Sequence, residues 1–368
     1  MSETCTKIYF VTGGGTGGHI YPALTIADVL KETSKVYYVG NKRNMEFELS
    51  TKKGYKFLHV GISAMPRKLS LKMFYWGIKL IKSILFSIRY IKKYKPHAVF
   101  ATGGYVSAPM IFACIITKTP YMMHDCDAMP GLVTRKLSKN AKFVSLAFEK
   151  AKKYIPNKHT IVTGNPIRSE FRTLTKDMAR KNLKIDNKLT LTVMGGSQGA
   201  KSINNAIIEL IREFTLENNI QLIFQTGSKN YNDIVNKLKL IYPAWEQNKN
   251  LMIKPYFEDM ISVLKSSDIV ISRAGSLSLS EICASEVAPI LIPFPYAAAN
   301  HQRINAKYMY EKGACIYIED NDLEPNKLKD IINSMIKNPL KINYLKQNTL
   351  NLAKFDATEQ IVQCIKNI

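Results

Sequence analysis

The chain opens twice in the same way. A short apolar run at residues 8–11 passes into Thr12-Gly13-Gly14-Gly15-Thr16-Gly17-Gly18-His19, and a second at 191–194 passes into Gly195-Gly196-Ser197-Gln198-Gly199-Ala200. A strand that ends in a glycine-rich turn and hands over to a helix begins an open parallel sheet. Two such openings in 368 residues imply two sheets and two domains. β-Branched or aromatic runs alternate with longer amphipathic stretches in both halves. Strands are predicted at 7–11, 35–39, 56–60, 98–101, 121–124, 143–146 and 160–163, then at 189–194, 221–225, 252–255, 269–272, 289–292 and 315–318. The expected fold is α/β, with two Rossmann-like doubly wound domains facing a cleft. The break is placed at Thr163-Gly164-Asn165-Pro166, where Gly and Asn permit a turn and Pro166 opposes helix. This gives domains at 1–165 and 166–348. Residues 350–368 read as a terminal helix, within a tail at 349–368 expected to pack back on the first domain.

Gly13, Gly15 and Gly18 fit G-x-G-x-x-G, but a dinucleotide site also requires a carboxylate at the end of the second strand. That strand ends Tyr38-Val39-Gly40-Asn41, so a nicotinamide or flavin is discounted and no cofactor is expected. Two readings of the loop remain: a turn whose backbone N–H groups and helix start face an anion, or a turn that only lets helix pack on strand. His19 sits where the loop enters the helix, with the chemistry to accept a hydroxyl proton near neutral pH. The second loop also matches the G-x-S-x-G nucleophile elbow, and His301 follows Ser197, so a hydrolase triad competes. A hydrolase, however, has no need of the paired loop in the first half. In Ser272-Arg273-Ala274-Gly275-Ser276-Leu277-Ser278-Leu279-Ser280-Glu281, Gly275 and Ser276 can present amides to a diphosphate while Glu281 accepts from ribose hydroxyls. The alternative is a capping box, Ser278-x-x-Glu281. Asp125 and Asp127 form a D-x-D, but that spacing is frequent by chance and lies in the half opposite the nucleotide loops, so no metal is expected.

Lys and Arg number 52 against 29 Asp and Glu, a net charge of +23. Such a chain attracts nucleic acid, anionic membrane or nucleotide phosphates, or else its lysines simply solvate helix faces. A nucleic-acid module would leave Glu281 and the paired loops without a use, and no nucleic-acid partner is expected. The six cysteines, Cys5, Cys114, Cys126, Cys283, Cys315 and Cys364, show no C-x-x-C spacing, which argues against zinc or redox chemistry. The amino terminus runs straight into a strand and no apolar run is long enough to span a bilayer, so a cytosolic chain is expected. Residues 66–96 carry Lys72, Lys79, Lys82, Arg89 and Lys93 among more apolar residues than one core-facing stripe needs. That pattern reads as a membrane-surface helix, or as an ordinary crossover helix.

Several motifs now stand in order. They are Gly14-Gly15-Thr16-Gly17-Gly18-His19 with Pro22; Gly103-Gly104-Tyr105-Val106-Ser107 with Pro109; Gly164-Asn165-Pro166-Ile167-Arg168; and Gly195-Gly196-Ser197-Gln198-Gly199-Ala200. Then come 273–281, Pro293-Phe294, Asn300-His301-Gln302 and Asn305-Ala306. Over nearly its whole length the chain resembles the MurG-type N-acetylglucosaminyltransferases, which convert lipid I to lipid II in peptidoglycan synthesis. The resemblance implies the two-domain GT-B architecture and an inverting transfer from UDP-N-acetylglucosamine, with His19 as catalytic base. It implies donor contacts from Thr16, Gly17, Gly18, Asp127, Arg168, Ser197, Phe257, Gly275, Ser276, Leu277, Ser278, Glu281 and Gln302. Of these, Phe257 would lie near the uracil, Glu281 would hold the ribose and Gln302 would contact the sugar. Gly14, Gly15, Gly103, Gly104 and Tyr105 would face the acceptor diphosphate. It also implies peripheral attachment to the anionic cytoplasmic face of the inner membrane, alongside other cell-wall synthesis proteins. The family carries His-Glu-Gln-Asn where this chain has His124-Asp125-Cys126-Asp127, so Asp127 keeps an acceptor and loses an amide donor. A UDP-sugar epimerase or another lipid-acceptor glycosyltransferase of the same fold is the alternative.

Overall fold

Strands buried on both faces read as unbroken apolar runs, and these runs pair in parallel. The computed structural model describes residues 7–66, 70–196, 198–217 and 219–368; Cys5 and Ser197 lie outside them. The first unit contains β1 Ile8–Thr12, β2 Lys35–Gly40, β3 Lys56–His59, β4 Ala98–Ala101, β5 Tyr121–Asp125, β6 Phe143–Leu146 and β7 Thr160–Val162. They form one parallel sheet in the order β3-β2-β1-β4-β5-β6-β7. The second unit contains β8 Thr190–Met194, β9 Gln221–Gln225, β10 Leu251–Lys254, β11 Ile269–Ser272, β12 Ala288–Leu291 and β13 Ile316–Tyr317. Their order is β10-β9-β8-β11-β12-β13, again all parallel. Two doubly wound α/β sheets are therefore present, as the repeated strand–glycine–helix opening requires.

Each sheet reverses its winding at its first strand. β1 pairs with both β2 and β4, and β8 pairs with both β9 and β11. At such a switch point the loops leaving two neighbouring strands diverge and open a crevice at their carboxyl ends. The loop at Gly13 and the loop at Gly103 leave β1 and β4; the loop at Gly195 and the loop at Gly275 leave β8 and β11. Alternate strand residues bury on opposite faces. Phe10, Val39, Val99 and Met123 enter one core of the first unit, while Tyr9, Val11, Tyr38, Phe100 and Met122 enter the other. The second unit packs Leu191, Val193, Leu222, Phe224, Ile269, Ile271 and Ile290 beneath its helices. Each such side chain contributes about 1.5–3 kcal/mol by leaving water.

One unit runs to Ile167 and takes in Asp356–Ile368; the other is Arg168–Phe355. The terminal helix expected at 350–368 is present but starts later, at Ala357, after a break that follows the preceding helix. Helix Pro339–Asn351 belongs to the second unit, and helix Ala357–Lys366 puts Ile361, Val362 and Ile365 into the core beside Tyr9 and Val11. The interruption falls where the chain passes from one core to the other.

Helix Leu71–Tyr94 buries only Ser83, Ser87 and Ile91, on the side that packs against helix Ala108–Thr117. The serines keep that contact close. Leu71, Phe74, Tyr75, Ile78, Ile81, Leu85 and Phe86 are exposed, as are Lys72, Lys79, Lys82 and Arg89. An ordinary crossover helix would bury that apolar stripe. No helix among the described residues is long and apolar enough to cross a membrane.

Candidate active site

In the first unit, helix Gly17–Lys31 starts directly beyond β1, so its first-turn amides open at the switch point. Steric surroundings sort the glycines before it. A methyl group on Gly13 would lie 1.9 Å from Thr102 Oγ1, and one on Gly14 would lie 2.7 Å from Glu46 Cδ. On Gly15 it would lie 2.9 Å from the Tyr105 ring, at a φ of +88°. Packing alone requires these three. Gly104, with φ +73°, has the same cause: its methyl would meet Gly14 O at 2.3 Å, so the two loops touch backbone to backbone. Gly18 is different. Nothing lies nearer to its methyl position than Thr16 Oγ1 at 3.7 Å. A helical glycine costs up to about 1 kcal/mol relative to alanine. Among the described residues no neighbour accounts for that cost, and the glycine sits among first-turn amides that open at the helix start.

His19 Nδ1 lies 2.8 Å from Thr102 O, and Thr102 Oγ1 donates to His19 O at 2.6 Å. A carbonyl can only accept, so Nδ1 carries the proton and Nε2 keeps the basic lone pair. The locked ring is what a proton acceptor at this position needs.

Beneath the same loop sits a fully buried carboxylate that no local motif marks. Glu46 accepts from Gly15 N at 3.4 Å, Asn41 N at 3.2 Å and Asn44 Nδ2 at 3.0 Å. Asn44 Nδ2 also donates to Tyr105 OH at 3.0 Å. The Gly15 amide thus meets a carboxylate of the chain itself, and Gly15 and Tyr105 are held in place by Glu46 and Asn44.

The D-x-D pair is not an open carboxylate clamp. Asp125 is buried and accepts from Asp127 N at 3.2 Å and Gly131 N at 3.0 Å. Burial, aided by the charge of Asp127, pushes its carboxyl up to about 7. Adjacent His124 bonds Ser145 Oγ at 2.7 Å and Asn165 Oδ1 at 3.0 Å, and burial brings it down to about 4, so it is neutral at pH 7. Asp127 itself is half-buried. Among the described residues no three His, Cys, Asp or Glu side chains are grouped to hold a metal ion.

In the second unit, Gly275 is the N-cap of helix Ser276–Ser285, which places Ser276, Leu277 and Ser278 in the first turn. Ser278 therefore cannot be an N-cap, and the capping-box reading fails. Glu281, one turn on, faces Arg168 Nη2 at 3.4 Å. Burial raises the Glu281 carboxyl above its usual range, and the Arg168 charge pulls it back. Gly196 has φ +82° and open space around its methyl position. Gly195 and Gly199 are packing residues, since their methyls would lie 2.3 Å from Ala200 N and 2.0 Å from Thr226 O. The Phe257 ring enters a small core with Ile223 and Val263, so it offers a nearby base its backbone and not its ring face. Buried Gln225 fixes that backbone: its Oε1 accepts from Phe257 N at 3.0 Å and its Nε2 donates to Gly196 O at 3.3 Å. Gln302 Oε1 accepts from Phe294 N at 3.0 Å, which leaves the amide nitrogen as the donor for a ligand. Ala299 and Asn300, at φ +50° and +54°, make a strained entry to its helix, His301–Glu311. Arg273 is spent on structure, bonding Ile292 O, Pro293 O, Ser202 and Asp320.

Glu46, Asn44, Thr102 and Gln225 are the residues that sequence reasoning missed. Each acts through a hydrogen bond to a glycine loop, to His19 or to Phe257, and no local spacing marks such a partner.

Residues 9–145 match the N-terminal domain of glycosyltransferase family 28 and residues 190–362 its C-terminal domain. The chain is 37% identical over 363 residues to a UDP-N-acetylglucosamine–N-acetylmuramyl-(pentapeptide) pyrophosphoryl-undecaprenol N-acetylglucosamine transferase of Desulforamulus reducens, covering 97% of this chain and 98% of that protein. The protein of the same name from Bacillus pumilus is 33% identical over 365 residues, covering 97% and 98%. The crystal structure of Acinetobacter baumannii MurG matches with a TM-score of 0.78 at 26% identity, over 98% of this chain and all of that one. A UDP-GlcNAc 2-epimerase from Neisseria meningitidis, at TM-score 0.69 and 15% identity over 99% of this chain and 100% of its own, shares the fold alone. With both halves matched and relatives alike from end to end, the chain belongs to glycosyltransferase family 28 and, within it, to the MurG family of N-acetylglucosamine transferases.

Proposed function

We propose that the chain transfers N-acetylglucosamine from UDP-N-acetylglucosamine to the 4-hydroxyl of the N-acetylmuramyl sugar of lipid I, giving lipid II. The observation that carries this reading is the switch point of the second sheet. There a helix starts at Gly275, with nothing among the described residues nearer to its methyl position than Ser278 Oγ at 3.9 Å, with Glu281 one turn on and Arg168 beside Glu281. The amides of Ser276, Leu277 and Ser278 receive the donor diphosphate, Glu281 accepts from the ribose hydroxyls, and the backbone at Phe257 meets the base. Negative charge grows on UDP as the anomeric bond breaks, and fixed amide dipoles with Arg168 stabilise it. The amide of Gln302 binds the sugar. In the first unit, His19 accepts the acceptor hydroxyl proton at Nε2 while the Thr102 carbonyl holds its Nδ1–H. Displacement is direct and inverts the anomeric centre. The amides of Gly17 and Gly18, with Gly103 and Gly104, receive the remaining phosphate charge.

The exposed stripe of helix Leu71–Tyr94 lays Phe74, Ile78, Ile81 and Leu85 into the acyl boundary of a bilayer, with Lys72, Lys79, Lys82 and Arg89 on its anionic headgroups. That attachment puts the enzyme on the cytoplasmic leaflet where a lipid-linked acceptor resides. The test is radiolabel transfer from UDP-N-acetylglucosamine to a lipid I analogue carried in anionic vesicles. Label should move to lipid, and replacing Phe74 and Leu85 by Ser should reduce transfer from vesicles while sparing a water-soluble acceptor. Conversion of UDP-N-acetylglucosamine without any acceptor would favour an epimerase and refute the proposal.

A further inference from the structure

The sheet of the second unit has a second edge, at the amino ends of its strands, remote from the loop at Gly275. A cavity of about 410 Å³ opens there, and its wall is cationic: Arg172, Lys176, Lys265 and Lys346, with Ser267 and a single acid, Glu286. Behind the wall, at the start of β11, Asp268 accepts from Lys176, Lys346 and Arg180 together and from Thr190 N at 3.0 Å. One carboxylate thus stands among three cations. Among the described residues Lys265 has one hydrogen-bond partner, the carbonyl of Ala284 at 3.5 Å, and it feels the charge of Glu286. These are not solvated surface lysines. The Lys346 and Lys176 side chains are 18% and 35% exposed. Burial pulls Lys176 and Lys265 below the ordinary lysine range, and the cations of the wall outnumber Glu286 and the Asp268 behind it.

We propose that this cavity is an anion site, separate from the donor-binding edge, that takes a compact phosphate-bearing ligand: inorganic phosphate or diphosphate. Converging ammonium groups act as point charges suited to phosphate oxygens, and Thr175 and Lys176 open helix Lys176–Leu183 onto the same wall. The concave shape admits a small oligoanion and excludes a nucleic-acid duplex. Ligands of parallel α/β sheets act at the carboxyl edge, so occupancy here adjusts the enzyme and takes no part in the reaction. The site does not depend on the transferase reading.

The test is calorimetric titration of the full chain, saturated with UDP so that the donor edge is filled, with sodium phosphate and with sodium diphosphate at fixed ionic strength. Saturable binding of one anion per chain is expected. Lys265→Ala should weaken it about tenfold or more, the consequence of losing one charge-assisted contact, while Lys265→Arg retains it. Lys265 lies outside the transfer machinery, so transfer without added phosphate should be unchanged in both variants and confirm that they fold. No saturable binding, equal affinity in Lys265→Ala, or equal displacement by chloride would each overturn the proposal.

Discussion

Gly18→Ala separates a glycine kept for packing from one kept for a ligand. The position lies in the first turn of helix Gly17–Lys31, and an added methyl meets nothing closer than Thr16 Oγ1 at 3.7 Å. Helix propensity then favours alanine by about 0.5–1 kcal/mol, and the melting temperature of a unit this size should rise by about 1–4 °C. Activity should move the other way. A phosphate drawn against the first-turn amides would be pushed back by roughly 1 Å, and a displacement of that size costs on the order of 100-fold in kcat/KM. Gly13→Ala is the matched control. Its methyl would lie 1.9 Å from Thr102 Oγ1 and 2.8 Å from His19 O, which overpacks the junction of the two loops. It should destabilise the protein by about 3 kcal/mol, losing activity and stability together. Thermal unfolding and steady-state transfer on the two variants form the assay. If Gly18→Ala is more stable and retains wild-type kinetics, the open space above that amide serves no ligand.

Glu281→Ala should raise the KM for UDP-N-acetylglucosamine at least about tenfold with little change in melting temperature, because its partner Arg168 is 41% exposed and is rehydrated when the carboxylate goes; steady-state kinetics with varied donor checks it, and unchanged kinetics would remove Glu281 from the donor site. Asp127→Asn should make the slope of stability against pH more positive in the acid range. The Asp125 carboxyl holds its proton up to about 7 when folded against an ordinary 3.8, so this group's contribution to stability falls as pH rises between those values. Removing the Asp127 charge lets Asp125 ionise more readily and shrinks that fall, which denaturant unfolding at a series of pH values will report; an identical profile would mean that burial alone sets Asp125. His124 works in the opposite sense. Its pKa falls from 6.5 to about 4, so its contribution to stability is present above 6.5 and lost as pH falls toward 4, in wild type and variant alike, and the difference between the two profiles reports Asp125.

What the sequence reveals about this chain depends on how far apart the partners of each interaction lie. The strands were legible because burial on both faces forces continuous apolar runs, and the predicted spans at 98–101, 143–146, 221–225 and 269–272 coincide with β4, β6, β9 and β11. The glycine loops were legible as loops. Which glycine serves packing was not, because the deciding atoms come from distant chain: Thr102 for Gly13, Glu46 for Gly14 and Thr226 for Gly199. Local pattern even misled where tertiary structure ruled. Ser278-x-x-Glu281 has capping-box spacing, yet the helix starts at Gly275, and Glu281 turns to Arg168, 113 residues away. Phe257 was placed near the uracil by resemblance alone, and only the fold shows that its ring completes a core with Ile223 and Val263. Glu46 shows the limit most clearly. Nothing in a polar stretch marks one carboxylate as buried, and only the fold brings Gly15, Asn41 and Asn44 around it. Once they are there, the Gly15 amide has a partner within the chain. The proposed anion contact at this edge therefore rests on Gly17 and Gly18, whose amides open the helix.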